Sequence, residues 1–393
     1  MRKNSRNAAG SGTIRQRPDG RWEARLVIGH DSGTGKQIRK SFYFKTQKEA
    51  RQKLQSTAVE IDNGAYTEPS KMTIAQWLDL WIETYLGNVK PLTVTSYTSQ
   101  ININIKPNIG AIKLTALTAP DVQAFYNKLE SGTDEKKPLS PKTIKNIHGV
   151  LHKALNQAVK LGYIKANPTA ACVLPRWIRK EIQPLEETEI SAFLKAVQGH
   201  KFESVYMVTL FTGIRQGEVL GISWTSVDFE RGTIFIHQQL QKQKDKTTGK
   251  WIYHLVPLKN DKTRTITPAP YIMGILKSHK AKQAETQSLA GEAWNNTDNL
   301  VFTDEIGGHL KHVTVYKNYK KIVADLGLEE ARFHDLRHSY AVAALQAGDD
   351  IKTVQENLGH HTAAFTLDVY GHVSERMKQE SANRMEKFIQ SVV

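Results

Sequence analysis

Two proline-bearing linkers divide the chain, and the apolar residues keep a different period in each stretch they separate. The linkers are "YTEPSK" (66–71) and "ANPTAACVLPRW" (166–177). Ahead of the first, "RWEARLVI" alternates. Trp22, Ala24, Leu26 and Ile28 fall on one face, and Arg21, Glu23 and Arg25 on the other. That is the period of a half-buried strand. "RPDGRW" reads as a turn with Gly20 supplying positive φ, "HDSGTGK" as a second turn, and "QIRKSFYF" as a third strand. "TQKEARQKLQSTAVEIDNG" then reads as a helix opened by a Thr46/Glu49 capping box and stopped at Asn63-Gly64. Residues 1–66 are therefore expected to form three strands on one helix, with Arg15, Arg17, Arg21 and Arg25 on the open face. A sheet of this size fits a DNA groove, whereas a solvated polar face is the plain alternative.

Between the linkers the period changes to that of an amphipathic helix. "TIAQWLDLWIETY" has Thr73 as N-cap and places Ile74, Trp77, Leu78, Trp81, Ile82 and Tyr85 on one side. "SPKTIKNIHGVLHKALNQAVKLGYI" does the same with Ile144, Ile147, Leu151, Leu155 and Ala158, and its polar side carries Lys142, Lys145, Lys153 and Lys160. Residues 71–168 thus read as a basic helical domain. From 184 to 393 the pattern is mixed. "ETEISAFLKAVQG" and "SVYMVTLFTGIRQGEVLGIS" read as helices, and "TIFIHQQLQKQ" and "IYHLVPLKNDKTRTIT" as strands about a Lys/Thr/Gly-rich turn. Helices dominate again from "VTVYKNYKKIVADLG" to the end.

Charge separates these stretches further. Residues 1–70 hold 14 Lys/Arg against 7 Asp/Glu, residues 71–183 hold 15 against 7, and the rest hold 25 against 25. All of the net +15 lies in the first 183 residues. Counterion release makes a long polyanion the natural partner for such a surface. Nothing in the chain is apolar for long enough to span a bilayer, and "MRKNSRNAAGSG" has no apolar segment behind it, so neither a membrane anchor nor a secretory signal is expected. The lone Cys172 can form neither an internal disulfide nor a thiolate cage, which fits a reducing cytoplasm. No P-loop or glycine-rich nucleotide fingerprint occurs, and no cofactor is expected.

Four short segments carry candidate chemistry. In "LFTGIRQGEVLGISW", Arg215 follows a Gly213 break at a helix start, where a guanidinium and helix N-terminus together suit an anion; an Arg215–Glu218 surface pair is the alternative. In "LKNDKTRTI", on an expected hairpin, Lys259 can reach a leaving oxygen, or it and Lys262 and Arg264 are simply solvated. In "RFHDLRHSY", His334 and His338 have the spacing of a zinc pair. However, Asp335 stands where the zinc motif wants Glu, no third ligand follows, and Arg337 sets a fixed positive charge beside any cation. That arrangement repels a metal and attracts phosphate, and His334 and Arg337 share a helix face. In "LGHHTAAFTLDVYGHV", His360 follows a Leu-Gly helix stop and Tyr370 lies ten residues on. A phenol with its usual pKa near 10 becomes a useful nucleophile when cations favour the phenolate.

The ordered set Arg215, Lys259, His334, Arg337, His360 and Tyr370, with "TGIRQGEVLGISW", "HDLRHSYA", "LGHHT" and "DVYGHV", resembles the tyrosine recombinases, or phage integrase family, over residues 70–393. Residues 1–66 resemble the arm-site-binding module of integrases from conjugative transposons and some phages. The resemblance implies a multidomain, mainly α protein with small β-sheets. Its parts would be an arm-binding β3α domain (1–66), a helical core-binding domain (71–168) and a mixed α/β catalytic domain with a C-terminal tail (184–393). It implies that Arg215 and Arg337 clamp the scissile phosphate with help from His360 and that Lys259 protonates the leaving 5′ oxygen. His334 would assist proton transfer, and Tyr370 would form a 3′-phosphotyrosyl link. The family interval to Arg264 favours Lys259 over Lys262, Glu218 would orient Arg215, and Tyr340 and His338 fit the helix core. The implied partners are double-stranded DNA at core and arm sites, three further copies of the chain in a tetramer on synapsed DNA, and an accessory excision factor. The setting would be a bacterial cytoplasm, with no metal, ATP or membrane. In the tail, Met377, Met385, Phe388, Ile389 and Val392 recur at helical intervals, suited to packing on a neighbouring subunit or on the chain's own domain. A type IB topoisomerase, a DNA-binding regulator with a dead site and a metal-dependent nuclease are the rivals. The arm-like module, the intact Tyr370 and arginines, and the lack of a carboxylate cluster argue against each in turn.

Overall fold

The computed structural model describes residues 12–30, 33–62, 71–133, 136–178, 183–245, 248–258, 262–359 and 374–392. The chain divides into two compact units, Met1–Ile178 and Arg179–Val393.

The first unit contains two separate cores. The smaller lies under an antiparallel sheet, β1 (Thr13–Gln16), β2 (Trp22–His30) and β3 (Gln37–Phe44), in the order β1-β2-β3. Ala24 and Leu26 of β2 are buried against Ala50 and Leu54 of α1 (Gln47–Asp62), as the alternation requires. Thr46 and Glu49 form the expected capping box, each side chain accepting from the other's amide at 3.3 Å.

The larger core is helical: α2 (Ile74–Tyr85), α3 (Pro91–Gln100), α4 (Lys106–Ile109), α5 (Ala119–Ser131) and α6 (Pro141–Lys160). Ile74, Trp77, Leu78 and Trp81 are buried against Ile144, Ile147, Leu151, Leu155 and Ala158. The Trp77 indole donates to Ala154 O at 3.1 Å, which fixes α2 on α6. Tyr85, expected on the apolar stripe, is instead exposed at the helix end, its ring 6.0 Å from that of Trp77. A π-helical turn, Ile101–Ile105, joins α3 to α4 just ahead of Pro107. Proline lacks the amide for an ordinary helical bond and crowds the preceding turn, and the wider turn accommodates it.

The segment after α6, expected to be a linker, is partly packed. Thr169 is buried in a short 3-10 turn (Pro168–Ala171), and the Gln123 side chain bonds both the amide and the carbonyl of Val173. Cys172 packs against the helical core.

The second unit is mainly helical. Helices α7 (Glu187–Val197), α8 (Glu203–Thr212), α11 (His312–Asp325) and α12 (Phe333–Gln346) meet over an aromatic cluster of Phe193, Tyr206, Tyr319 and Phe333. Short α9 (Gln216–Val219), long α10 (Pro270–Ala290) and α13 (Ile351–Leu358) complete the layer; α14 (Ser374–Val392) is the tail. Two small sheets flank them. One has the order β4-β5-β8, from Val227–Asp228, Thr233–Ile236 and Arg264–Ile266; the other pairs β6 (Gln238–Lys244) with β7 (Trp251–Pro257). The expected strand pair about the Lys/Thr/Gly-rich turn is β6 with β7, but the run read on as far as Thr267 does not stay in that sheet. β7 and β8 belong to different sheets, because β5 takes β8 as its partner. Met385, Phe388, Ile389 and Val392 are all exposed in the single chain. Among the described residues no helix is long and apolar enough to cross a membrane.

Candidate active site

The site grows from a helix end that cannot continue. Helix α8 stops at Gly213, whose φ of 65° is left-handed. The turn delivers Arg215 as N-cap of α9, with Glu218 bonded back to it, as the sequence spacing suggests. Glu218 Oε1 accepts from Arg215 Nη1 at 2.7 Å, and Oε2 from the Arg215 amide at 3.1 Å. A second arginine not expected there, Arg264 of β8, donates Nη2 to Glu218 Oε2 at 2.6 Å. Burial by itself would raise the Glu218 pKa, but the Arg264 charge and hydrogen bond, then Arg215, bring it down to about 2. Arg264, read from sequence as one of three basic residues on a solvated turn, is 10% exposed. Its partners lie 46 and 93 residues away, so no local pattern reports its burial.

Helix α12 supplies the second wall. Arg332 and Asp335 cap its start through a two-pronged ion pair. Arg337 is 1% exposed, its Nη1 donating to Gly213 O and its Nη2 to Leu358 O, both at 2.7 Å. Arg215 Nη2 reaches Gly359 O at 3.4 Å. The two guanidiniums thus converge on neighbouring carbonyls at the end of α13. His334 remains on the exposed side of α12 in crowded surroundings. Partial desolvation first, then Arg337 and Arg215, hold its pKa at about 4. His338 stands edge-on to His334, ring centroids 4.9 Å apart, and burial followed by His334 lowers its pKa to about 3. Both imidazoles are neutral at pH 7. Tyr340 packs over Gly213, and its hydroxyl accepts from Asn357 Nδ2 at 3.0 Å. Among the described residues no group of three or more His, Cys, Asp or Glu side chains could hold a metal ion.

The structure thus brings Arg215, His334 and Arg337 together. Lys259, His360 and Tyr370 lie outside the described residues.

The profile of the Phage integrase family matches residues 183–377, and that of the phage integrase N-terminal SAM-like domain matches residues 73–130. A protein described as "Tyrosine recombinase XerC-like" from Caldanaerobacter subterraneus subsp. tengcongensis is 31% identical over 375 residues, covering 92% of this chain and 94% of its own. The chain belongs to the phage integrase family of tyrosine recombinases. Its fold agrees. The Tn1549 transposon integrase in complex with a circular intermediate DNA superposes with a TM-score of 0.66 at 20% identity, covering 80% of this chain and all of that one. A lambda integrase dimer bound to a COC' core site gives 0.55 at 17% identity, covering 93% and 96%. As a tyrosine recombinase, the chain has site-specific DNA recombination as its activity.

The basic residues singled out in the first unit are placed as follows. Arg15 and Arg25 both bond Glu23, at 2.6 and 3.0 Å, and cover it so that it is 1% exposed rather than solvated. Hydrogen bonds from Ser41 and Arg15 hold Glu23 at a pKa of about 2. Arg21 makes a two-pronged pair with Asp19, which also lies 3.7 Å from Arg17. Both guanidiniums stand over the exposed Tyr43 ring, at 5.1 and 5.7 Å. In the helical part, Lys142 lies 4.6 Å over Trp177, and Lys145 is half-buried one turn further along α6.

Proposed function

We propose that this recombinase is an integrase that moves a mobile element by cutting and rejoining duplex DNA through a 3′-phosphotyrosine at Tyr370. Arg215 and Arg337 clamp the scissile phosphate, with His360 helping to place it. Lys259 protonates the leaving 5′ oxygen, and His334, held neutral, hydrogen-bonds the phosphate and relays the proton. The covalent link conserves the phosphodiester energy, so joining needs no ATP. Two guanidiniums and an ammonium supply the charge stabilisation a metal would otherwise give. Residues 184–393 carry this chemistry, residues 71–168 hold the core site, and the arginines about Tyr43 in residues 1–66 hold arm sites. A tetramer on two synapsed duplexes, formed in the bacterial cytoplasm, is the working assembly, and an excision factor is a further partner. The exposed apolar residues of α14 supply contact area between subunits.

The observation that carries this reading is the convergence of Arg215 and Arg337, from two separate elements, on consecutive carbonyls at Leu358 and Gly359, beside neutral His334. Such a rigid cationic pair suits a tetrahedral anion. The test is a denaturant-stable adduct with nicked DNA carrying the element's ends. Wild type should form it in excess EDTA, and Tyr370→Phe should bind the DNA without forming it. Adduct formation by Tyr370→Phe at the wild-type level, or strict dependence on a divalent metal, would sink the reading.

A further inference from the structure

Three successive carbonyls at the C-terminus of α13 each receive a guanidinium from a different element. Asn357 O accepts from Arg264 Nε at 2.8 Å, Leu358 O from Arg337 Nη2 at 2.7 Å, and Gly359 O from Arg215 Nη2 at 3.4 Å. The last carbonyls of a helix lack intrahelical partners and carry the negative end of its dipole, so they seat cations well. Two of these arginines belong to the proposed phosphate clamp. The third faces the protein.

Arg264 has both arms of its fork engaged, Nε by Asn357 O and Nη2 by Glu218 Oε2. It opens β8 and pairs with Ile236 of β5, so its backbone is part of the sheet. Gly359 makes room for it: a Cβ there would lie 3.0 Å from Arg264 Nη1. Arg215, by contrast, caps a helix of only four residues and keeps 38% of its side chain exposed. Glu218 sits on that same short turn and by itself gives Arg215 no external reference.

We propose that Arg264 is a positioning residue for strand cleavage. By bonding Glu218 and the α13 terminus with one planar fork, it fixes the Arg215 guanidinium where the scissile phosphate requires it. This rests on the reading of the site as a phosphodiester clamp. Arg264 also holds one oxygen of Glu218. Without it, the carboxylate is left with Arg215 as its cationic partner and draws that guanidinium away from the phosphate. Lysine keeps the charge but cannot bond in two fixed directions.

The test uses the full chain and a duplex chosen from a random-core library by covalent capture on the wild-type protein. Single-turnover cleavage is measured against duplex concentration for Arg264→Met, Arg264→Lys, Arg215→Lys and the double variant Arg264→Lys/Arg215→Lys. Misplacing a reacting group by about 1 Å costs on the order of 10²-fold in rate. Arg264→Met should therefore cleave about 10²-fold slower at saturation, and Arg264→Lys about tenfold slower or worse, with half-saturating concentrations unchanged. Because Arg264 acts through Arg215, the double variant should be no slower than Arg215→Lys, whereas an independent structural role multiplies the two losses. Should Arg264→Met not fold, the isocharged Arg264→Lys carries the same comparison. The proposal is overturned if the Arg264 variants cleave at the wild-type rate, or if the double loss equals the product of the single ones. Failure of the underlying reading looks different: the wild-type chain then captures no duplex, and both fall.

Discussion

Replacing Gly213 by alanine tests the geometry of the site at its most constrained atom. Gly213 has φ 65°, and its carbonyl receives Arg337 Nη1 at 2.7 Å. A Cβ there would lie 2.3 Å from Tyr340 Cδ1 and 2.6 Å from Leu358 Cδ2. The left-handed conformation costs an alanine about 1–2 kcal/mol. Forcing a methyl into packed side chains adds about 1–3 kcal/mol. The expected loss is therefore about 2–5 kcal/mol. At about 2–4 °C per kcal/mol for a unit of this size, the melting temperature of the Arg179–Val393 unit should fall by roughly 4–20 °C. Gly199→Ala is the control, because Gly199 has φ 74° with nothing within 4 Å of its added Cβ, so it carries the backbone strain alone. Calorimetry of the full chain, with hydrogen exchange of α8 and α12 peptides to assign the transition, measures both. Equal losses in the two variants would refute the close packing of Tyr340 and Leu358 over Gly213.

Arg215→Lys and Arg337→Lys should each slow cleavage by about 10²-fold, as removal of an oxyanion donor does, and near-normal rates in both would mean that neither clamps the phosphate. Arg337→Lys should also destabilise the unit, by about 1–3 kcal/mol for each buried carbonyl left without its donor, as a denaturant midpoint would show. Stability should fall as the pH drops, in two overlapping windows. His338, whose pKa is lowered from 6.5 to about 3, loses stability for the fold as pH drops from about 6.5 towards 3. Glu218, lowered from 4.5 to about 2, contributes stability above pH 4.5 that is lost as pH falls towards 2. Urea midpoints of wild type, His338→Gln and Glu218→Gln separate the two, and a flat wild-type profile between pH 6.5 and 4.5 would contradict the His338 environment. A fragment starting at Lys71 should cleave short core duplexes, lose arm-site affinity and bind long DNA with a flatter salt dependence; undiminished arm-site binding would return the N-terminal arginines to an ordinary solvated face.

What was legible in the sequence was what local physics decides. The Thr46/Glu49 box, the Thr73 cap, the Gly213 break and the Ile144–Ala158 stripe each depend on residues within a few turns of one another, and each stands where the pattern put it. The Arg215–Glu218 bond was legible for the same reason. What escaped was whatever depends on distant partners. Glu23 alternates with arginines and reads as solvated, yet Arg15 across the strand pair and Arg25 close over it. The run from Ile252 to Thr267 reads as one strand of a hairpin, but its last part, β8, joins the other sheet because it pairs with β5, far earlier in the chain. Arg337 reads as a phosphate-binding charge on the helix face it shares with His334, with nothing local to mark it as buried. Only the ends of α8 and α13, brought together in the fold, make it an interior residue.

The pairing of charges around α13 gives the site a definite electrostatic character. Four guanidiniums, from Arg215, Arg264, Arg332 and Arg337, face two carboxylates, Glu218 and Asp335, and the two histidines are neutral at pH 7. Arg332 is spent on Asp335 and Arg264 on Glu218. Arg215 shares Glu218, and Arg337 donates to the carbonyls of Gly213 and Leu358. A phosphodiester carries one negative charge, and a pentacoordinate phosphorane formed by phenolate attack carries two. On the proposed reading, Arg215, Arg337 and the Lys259 ammonium meet the greater charge that gathers on the phosphate oxygens in the attacked state, which is the condition for accelerating the chemical step rather than merely binding DNA. The neutral histidines belong to the same arrangement. An imidazolium at position 334 would overcharge the site before attack, and Arg337 and Arg215 help keep it unprotonated.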